Sequence, residues 1–261
     1  MLRLQGKNTL ITGASSGIGK ATAIRFAEEG ANVAVNYYVD RAEADEALAL
    51  VDKAGPGKHF IVQADVSQED QVKSMFAKVL DAFGSLDVLV NNAGIQKESH
   101  SHELETKDFD RIVDVNLRGS FVCAREAIRH FLTKKGGVIL NNSSVHQNIP
   151  KPLFLSYSIS KGAIENLTKT LALEYADRGI RVNAVGPGAV ITPINLAWIN
   201  DPKAKAEVES HIPMGRAADP AEIAAVFAFL ASDDASYITG QTIFACGGVT
   251  LYPEFRTNWS S

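Results

Sequence analysis

The chain has 261 residues, of which 46% are hydrophobic, and a formal net charge of -4. This length fits one α/β domain or two small ones, and the absence of a polybasic run argues against a nucleic-acid-binding surface. The longest apolar run, "AAVFAFLA", is too short to span a membrane, and the glycine turn in "MLRLQGKNTLITG" comes too early for a signal peptide. The two cysteines, Cys123 and Cys246, give no disulfide framework, which favours a cytoplasmic location.

Short β-rich runs alternate with helical patterns along the whole chain. Strands are predicted at 8–12, 31–36, 59–63, 86–90, 137–142, 181–185 and 242–246. Helices are predicted near 18–29, 41–53, 68–82, 105–132, 156–177 and 219–231. Most strand runs are continuously apolar, which is typical of parallel strands covered on both faces. The alternation predicts an α/β fold: a Rossmann-type doubly wound sheet of about seven parallel strands with helices on both faces.

No linker, repeat or low-complexity stretch divides the sequence, so residues 1–261 are predicted to form a single domain. The last helix has a complete start signal, with Asp219 at the N-cap, Pro220 in the first position and Glu222 two residues later. The less regular segment 186–215 precedes it and follows the C-terminal end of a strand, where ligands bind in such sheets. We interpret this segment as a substrate lid.

A glycine pattern, "TGASSGIGK" at 12–20, follows the first strand and opens the first helix. Residues without a Cβ permit tight turns and a close approach to a pyrophosphate, and the helix N-terminus supplies free N–H donors. An ordinary glycine-rich turn is the alternative, which the position after the first strand disfavours. The predicted cofactor contacts in this turn are Gly13, Ser15, Ser16, Gly17, Ile18 and Gly19.

The stretch "VNYYVDR" ends the second strand, where a carboxylate would select NAD by bonding its ribose. Tyr37 occupies that position, and Tyr38 and Arg41 are predicted cofactor contacts beside it. Asp40 argues the other way, or only starts the next helix. We therefore expect NADP, or the use of both NADP and NAD. Asp65, after the third strand, could bond the adenine amino group or cap the following helix.

The stretch "YSISK" places Tyr157 four residues before Lys161, on one side of a helix. The spacing alone has a high false-positive risk. A free phenol has a pKa of about 10, and an ammonium about 4 Å away at an effective dielectric of about 20 contributes about 4 kcal/mol. Desolvation opposes this effect, and an oxidised nicotinamide assists it. We therefore expect the pKa of the phenol to fall toward 7, where a general acid–base works best.

Six motifs then follow one another in the order of a known family. They are "TGASSGIG", "NNAG" at 91–94, Asn116 in "DVNLRG", Ser144 in "NNSSVH", Tyr157 with Lys161, and "GPGAVIT" at 186–192. The whole chain resembles the short-chain dehydrogenases/reductases, and stretches such as "SSVHQNIPKPLF" and "ASYITGQTIFACGG" resemble their glucose 1-dehydrogenase subgroup. The chain departs from that subgroup at Gln96 and Cys246, where an acid is usual.

The resemblance implies catalytic roles for four residues. Ser144 would orient the substrate oxygen and stabilise its charge, and Tyr157 would be the acid–base. Lys161 would also bond the nicotinamide ribose, and Asn116 would anchor a water in a proton relay. For Asn116 the alternative is a polar residue on an exposed helix face. The implied cofactor contacts elsewhere are Asp65, Val66, Asn92, Ala93, Gly94, Tyr157, Lys161, Pro187, Gly188, Val190 and Thr192.

The substrate would contact Ser144 and Tyr157, with Gln96, His146 and Asn195 as further candidates. For His146 the alternative is a histidine with a structural role in its loop. For Asn195 a substrate contact and a structural role are equally open. The pair His100 and His102 lacks a third ligand at a recognised spacing, so no metal site is predicted.

The resemblance implies hydride transfer between a secondary alcohol and NAD(P), with oxidation of β-D-glucose to its lactone as the foremost interpretation. A 3-oxoacyl, steroid or polyol substrate is the alternative, as is a non-catalytic sensor that binds nucleotides, although a sensor needs none of Ser144, Tyr157 and Lys161. The helices at 105–132 and 156–177 are apolar beyond a single stripe, and in the family they pair between subunits. We therefore expect a homotetramer, with thick intrachain packing as the alternative. The aromatic tail "LYPEFRTNWSS" is expected to dock on a neighbouring subunit.

Overall fold

The computed structural model describes residues 2–134 and 136–251. Its strands are β1 (Asn8–Ile11), β2 (Asn32–Tyr37), β3 (His59–Gln63), β4 (Val88–Asn91), β5 (Gly137–Asn142), β6 (Ile180–Pro187) and β7 (Thr242–Ala245). All seven pair in parallel in one sheet, in the order β3-β2-β1-β4-β5-β6-β7. The predicted doubly wound parallel sheet is confirmed.

The helices largely follow the predicted pattern. They are α1 (Gly17–Glu28), α2 (Arg41–Ala54), α3 (Glu69–Phe83), α4 (Thr106–Val113), α5 (Gly119–Phe131), α6 (Leu155–Tyr175), α7 (Leu196–Ile199), α8 (Pro202–Ser210) and α9 (Pro220–Ala231). The single helix predicted at 105–132 is α4 and α5 joined by a π-helical turn over Asp114–Arg118. The start signal of α9 is confirmed, because Asp219 and Glu222 form a capping box.

Helices cover both faces of the sheet, as the apolar strands predicted. On one face α1 and α9 bury Phe26 and Phe227 completely against the strands. On the other face α3 and α5 bury Met75 and Phe131 in the same way. Each such side chain contributes roughly 1.5–3 kcal/mol to the free energy of unfolding relative to an exposed position, so the two layers hold the strand ends in fixed positions.

The chain reverses direction across the sheet at β1. From β1 it proceeds to β2 and β3 on one side, and it returns to β4 on the other side. Ile11 of β1 lies beside Val35 of β2 and Val90 of β4, so the loops after these strands leave from one edge. Loops that diverge at such a reversal leave a crevice at the carboxyl ends of the strands, where ligands bind.

The segment 186–215 continues from the end of β6 and contains a 3-10 turn at Pro193–Asn195, α7 and α8. The turn after β7 packs on its end, because Met214 N donates to the Gly247 carbonyl at 3.0 Å. A Cβ on Gly247 would lie 2.7 Å from Ile212, so this contact needs glycine. Within residues 2–134 and 136–251, no helix is both long and apolar enough to cross a membrane.

Candidate active site

A cavity of about 630 Å³ runs along the carboxyl edge of the sheet, within the usual range for ligand sites. It extends from Asp65 after β3 to Ser144 after β5, a separation of four strand spacings or about 19 Å. The sequence-predicted residues that line it are Gly13, Ser15, Ser16, Gly17, Ile18, Tyr38, Asp65, Val66, Asn92, Ala93, Gly94, Gln96, Ser144, His146, Tyr157, Lys161, Pro187, Gly188, Val190, Thr192 and Asn195. Arg41, Gly19 and Asn116 are the predicted site residues that do not line it.

The glycine turn forms one wall of the cavity. Gly13 and Gly17 have φ values of +59° and +53°, in the left-handed region that favours glycine. Ser16 is the N-cap of α1, but its side chain makes no capping hydrogen bond, so the first N–H groups of the helix remain available to an anion. A methyl group on Gly19 would overlap the Gly13 carbonyl oxygen and the Asn92 amide. The turn therefore fits a pyrophosphate. Gly19 is needed because α1 packs closely against Gly13 and Asn92 at this position.

Neighbouring strands hold this turn in place through buried polar groups. Gly13 N donates to Asn36 Oδ1 at 3.1 Å, while Asn36 Nδ2 donates to three carbonyls at the ends of β2 and β3 at 3.1–3.2 Å. Thr12 Oγ1 accepts from the backbone N–H groups of Asn92 and Ala93 at 2.9 and 3.0 Å. Asn92 Nδ2 returns bonds to the carbonyls of Thr12 and Gly13 at 2.9 and 2.8 Å. Sequence reasoning missed Asn36, for which a polar residue inside an apolar strand was the available signal.

The far end of the cavity contains an ion pair that was not predicted. Asp65 Oδ2 accepts from Arg111 Nη2 at 3.2 Å, and Asp65 Oδ1 accepts from the amide and hydroxyl of Ser67. Partial burial acts to raise the pKa of Asp65, but the Ser67 hydrogen bonds and the Arg111 charge hold it below its usual value. The Arg111 guanidinium lies 5.7 Å from the centroid of the Tyr38 ring. The alternative of Asp65 as the cap of the following helix is wrong, because Gln68 is the N-cap of α3 and, among the described residues, the Asp65 carboxylate accepts only from Ser67 and Arg111. Asp65 does line the cavity, so the predicted contact with adenine stays a prediction.

Arg41 lies outside the main cavity and borders a second, smaller pocket with Tyr37. Its Nε donates to Asp45 Oδ2 at 2.9 Å, one helical turn along α2. Asp40 caps that helix by accepting from the Glu43 N–H at 2.9 Å, which is the simpler of its two predicted roles. The structure therefore does not bring the predicted basic group to the adenosine end.

Ser144, Tyr157 and Lys161 meet at the opposite end of the cavity. β5 ends two residues before Ser144, and α6 begins two residues before Tyr157. Lys161 Nζ lies 5.5 Å from the Tyr157 ring centroid and donates to the Asn142 carbonyl at 2.6 Å. Ser144 lies close enough to the phenol to act on its pKa, and its Oγ accepts from the His146 N–H at 3.1 Å. A substrate oxygen placed between Ser144 and Tyr157 has a donor and a proton acceptor beside it.

Burial dominates the protonation of this pair. It raises the pKa of the Tyr157 phenol, and the hydrogen bond with Ser144 offsets this only in part. Burial also lowers the pKa of the Lys161 ammonium to about 8. The prediction that the lysine charge lowers the pKa of Tyr157 toward 7 is wrong for the cofactor-free chain, because the sequence gives the pairing but not the desolvation.

His146 lies beside the phenol, with its ring centroid 6.2 Å from that of Tyr157 in an edge arrangement. Its Nδ1 is 2.9 Å from the Ile149 carbonyl oxygen. A carbonyl only accepts, so the proton is on Nδ1 and Nε2 is left as an acceptor. Burial lowers the pKa of His146, so the ring is neutral at pH 7. It is therefore suited to receive a hydrogen bond from a substrate hydroxyl.

Asn116 sits in the π-helical turn and is 1% exposed, so the alternative of an exposed helix face is wrong. Its Oδ1 accepts from the Ile95 N–H at 2.8 Å, and its Nδ2 donates to the Ile95 carbonyl and to Ser160 Oγ, both at 3.0 Å. These bonds join the loop after β4 to the catalytic helix α6. Asn116 thus holds the helix that carries Tyr157 against the loop after β4.

Two substrate candidates also brace the segment 186–215. Gln96 Nε2 donates to the Ile194 carbonyl at 3.2 Å, which joins the loop after β4 to that segment. Asn195 Nδ2 donates to the Val190 carbonyl at 2.9 Å. Cys246 is buried and does not line the cavity, so of the two departures from the subgroup only Gln96 faces the substrate.

A glycine turn for a dinucleotide and a Ser–Tyr–Lys set share this one cavity, which is the plan of a nicotinamide-dependent dehydrogenase or reductase. The chain belongs to the short-chain dehydrogenase/reductase family: residues 13–250 match the family model described as Enoyl-(Acyl carrier protein) reductase. It is an oxidoreductase that acts on CH–OH groups.

Three relatives place it more closely. The chain is 52% identical to glucose 1-dehydrogenase of Gluconobacter oxydans, over 99% of this chain and 97% of the relative. It is 50% identical to 3beta-hydroxysteroid dehydrogenase 1 of Eggerthella lenta, over 97% of each. The solved gluconate 5-dehydrogenase of Burkholderia cenocepacia, in complex with NADP and tartrate, superposes with a TM-score of 0.89 at 32% identity and covers 96% of this chain and 97% of its own.

Proposed function

We propose that the protein is a sugar dehydrogenase that oxidises the anomeric carbon of an aldose to a lactone, with β-D-glucose as the first substrate to test. The observation that supports this most directly is the polar rim around Ser144 and Tyr157. Gln96 and His146 both line the cavity, and the His146 ring centroid lies 6.2 Å from that of Tyr157 with Nε2 left as a hydrogen-bond acceptor. The 52% identity to a glucose 1-dehydrogenase supports the same choice.

The chain's own residues divide the work at the reacting carbon. Ser144 holds the substrate hydroxyl, and Tyr157 takes its proton. Lys161, 5.5 Å from the phenol ring, stabilises the phenolate that results. The nicotinamide dinucleotide, when bound, accepts the hydride from the same carbon. Because burial raises the pKa of Tyr157 in the cofactor-free chain, we infer that the phenol becomes a useful base only in the complete complex.

We propose that the enzyme uses both NADP and NAD. Tyr37 stands where an acid would exclude the 2′-phosphate, while Arg41, which would favour that phosphate, is paired with Asp45 outside the cavity. Arg111 is the cation that lines the adenosine end, but Asp65 already engages it. Steady-state rates with each cofactor test this; a strong preference for either one contradicts it.

The experiment that tests the sugar assignment is a panel of aldoses, followed by the absorbance of the reduced nicotinamide. A 3β-hydroxysteroid belongs in the same panel, because the apolar side chains of Ile194, Trp198, Ile212 and Val249 also line the cavity. The relative from Eggerthella lenta makes this the second candidate. Turnover of the steroid with no turnover of any aldose would replace the first proposal with the second.

We further propose that four copies assemble through α5 and α6, as a single domain in the cytoplasm whose segment 186–215 is the substrate lid. Phe121 on α5 is 44% exposed, and Ile159 and Leu173 on α6 are 46% and 88% exposed. Free, buried Cys123 and Cys246 support the cytoplasmic location. Light scattering of the wild type and of Leu173→Lys tests the assembly. The expected docking of the C-terminal tail concerns residues 252–261, which lie outside the described residues.

A further inference from the structure

We propose that Lys151 recognises an anionic group at the end of the substrate remote from the reacting carbon, so that the preferred aldoses are uronic acids. This inference rests on the proposed sugar dehydrogenase function and leaves its chemistry unchanged. The same anomeric CH–OH is oxidised by the same cofactor. What changes is the group that identifies the substrate: a carboxylate in place of a hydroxymethyl.

A tight turn directly before α6 fixes the position of Lys151. Phe154 N donates to the Lys151 carbonyl at 3.2 Å, with Pro152 in the second position and Leu153, at a φ of +69°, in the third. This is the arrangement of a type II turn, in which the third residue has a positive φ. The Leu153 carbonyl in turn accepts from the Ser99 N–H at 2.9 Å. The backbone that carries Lys151 is therefore bonded to the N-cap of α6 and to the loop that contains Ser99.

The Lys151 side chain lines the cavity, and its Nζ lies 3.8 Å from the centroid of the Phe154 ring. Phe154 is three residues before Tyr157, so the turn that carries the Lys151 ammonium directly precedes the first turn of α6, which carries the phenol. His146 is near both groups, because its ring centroid is 6.2 Å from that of Tyr157 and the Lys151 charge, after burial, helps to lower its pKa. Lys151, His146 and Tyr157 all line the one cavity in which a hexose would be held with its anomeric carbon at Tyr157.

The charges that line the cavity are not balanced at the substrate end. Of the described lining residues, Asp65 is the one carboxylate, and it pairs with Arg111 at the opposite end. Lys151 and Lys161 both line the substrate end, where none of the described lining residues is acidic. Lys151 makes no ion pair with a described residue, although the Glu98 carboxylate acts on it at longer range against the effect of its partial burial. An anion completes this end of the cavity better than a neutral hydroxyl group.

A carboxylate also gains more from this site than a hydroxyl does. The Lys151 ammonium makes a charge-assisted hydrogen bond with either group, but only the carboxylate adds the attraction between opposite charges. In a hexuronic acid the carboxylate is at C6, the position most distant from C1. We expect kcat/KM for D-glucuronate to exceed that for D-glucose by about tenfold at pH 6.5 and low salt.

The test compares D-glucuronate with D-glucose in the wild type and in Lys151→Met, Lys151→Arg and Lys203→Met. Lys203 is an exposed lysine of α8 that does not line the cavity, so its removal controls for net charge. Lys151→Met should lose the preference for glucuronate while keeping its activity on glucose. Lys151→Arg should retain it, and Lys203→Met should leave it unchanged. Melting curves and cofactor affinity establish that each variant is folded.

Calorimetric titration of D-glucuronate into NADPH-saturated protein separates the two proposals. If glucose is oxidised but Lys151→Met keeps the wild-type ratio of the two sugars, the role of Lys151 is refuted and the sugar dehydrogenase stands. If neither sugar is oxidised, the sugar dehydrogenase fails; Lys151-dependent binding of glucuronate would then still support the anion site. Equal binding by wild type and Lys151→Met would overturn it.

Discussion

Replacing Tyr157 by phenylalanine removes one oxygen and with it the proposed proton acceptor. General acid–base catalysis is worth about 10²–10⁴ in rate. Lys161 adds to this, because its ammonium, 5.5 Å from the centroid of the Tyr157 ring, favours the charged phenolate. We therefore expect kcat for Tyr157→Phe to fall by at least about 10³.

No other described group in the cavity is placed to take over. His146 is the nearest imidazole, but its Nδ1–H is held by the Ile149 carbonyl and burial lowers its pKa. The assay is nicotinamide reduction with the best sugar, together with the dissociation constant of the cofactor by fluorescence. The cofactor constant should change by less than about threefold, since the phenylalanine ring preserves the packing of Tyr157.

Tyr237, which is fully exposed and far from the cavity lining, provides the matched control. Tyr237→Phe should be indistinguishable from the wild type in both measurements. If Tyr157→Phe retains more than a tenth of the wild-type kcat while binding the cofactor normally, the phenol is not the acid–base and the mechanism is refuted.

Three further predictions concern the cofactor turn, the lysine and the lid. Gly19→Ala should destabilise the protein by about 1–3 kcal/mol and weaken cofactor binding, because its methyl group overlaps the glycine turn. In Gly162→Ala, in α6, the added methyl group would have its nearest atom at 3.7 Å, so this control variant should melt at the wild-type temperature. In a fluorescence titration, the affinity for the dinucleotide should decline by up to about tenfold per pH unit above pH 8, because Lys161 loses its proton there. The same titration of Lys161→Met should show no such pH dependence. Gln96→Ala removes the hydrogen bond to the Ile194 carbonyl and should raise the KM for the sugar by about threefold to tenfold with little change in kcat. Unchanged steady-state constants would show that this bond does not hold the lid.

The sheet was accessible from the sequence because its signals are local. Continuous apolar runs mark strands covered on both faces, and the structure moves their ends by no more than two residues. The same holds for the motifs of the active site, since strand and helix ends carry Ser144 and Tyr157 into one cavity once the fold is known. Residues that must converge from a few strand ends were therefore predictable as a group.

What the sequence could not give depends on burial and on contacts between distant residues. The π-helical turn around Asn116 is coupled to Ile95, 21 residues away, and Arg111 reaches Asp65 across 46 residues. In the cofactor-free chain the Tyr157 pKa shifts in the direction opposite to the predicted one, because the extent of desolvation of a phenol is a property of the packed state. Spacing along a helix fixes which charges are neighbours, but it says nothing about how much water remains around them.

Asn36 has a consequence for how quickly and tightly a dinucleotide is captured. Its amide, bonded to Gly13 and to three strand-end carbonyls, fixes the shape of the glycine turn through bonds within the chain itself. A receptor that is rigid beforehand loses little conformational entropy on association. The glycine turn therefore does not have to become ordered again each time that a used dinucleotide is exchanged for a new one.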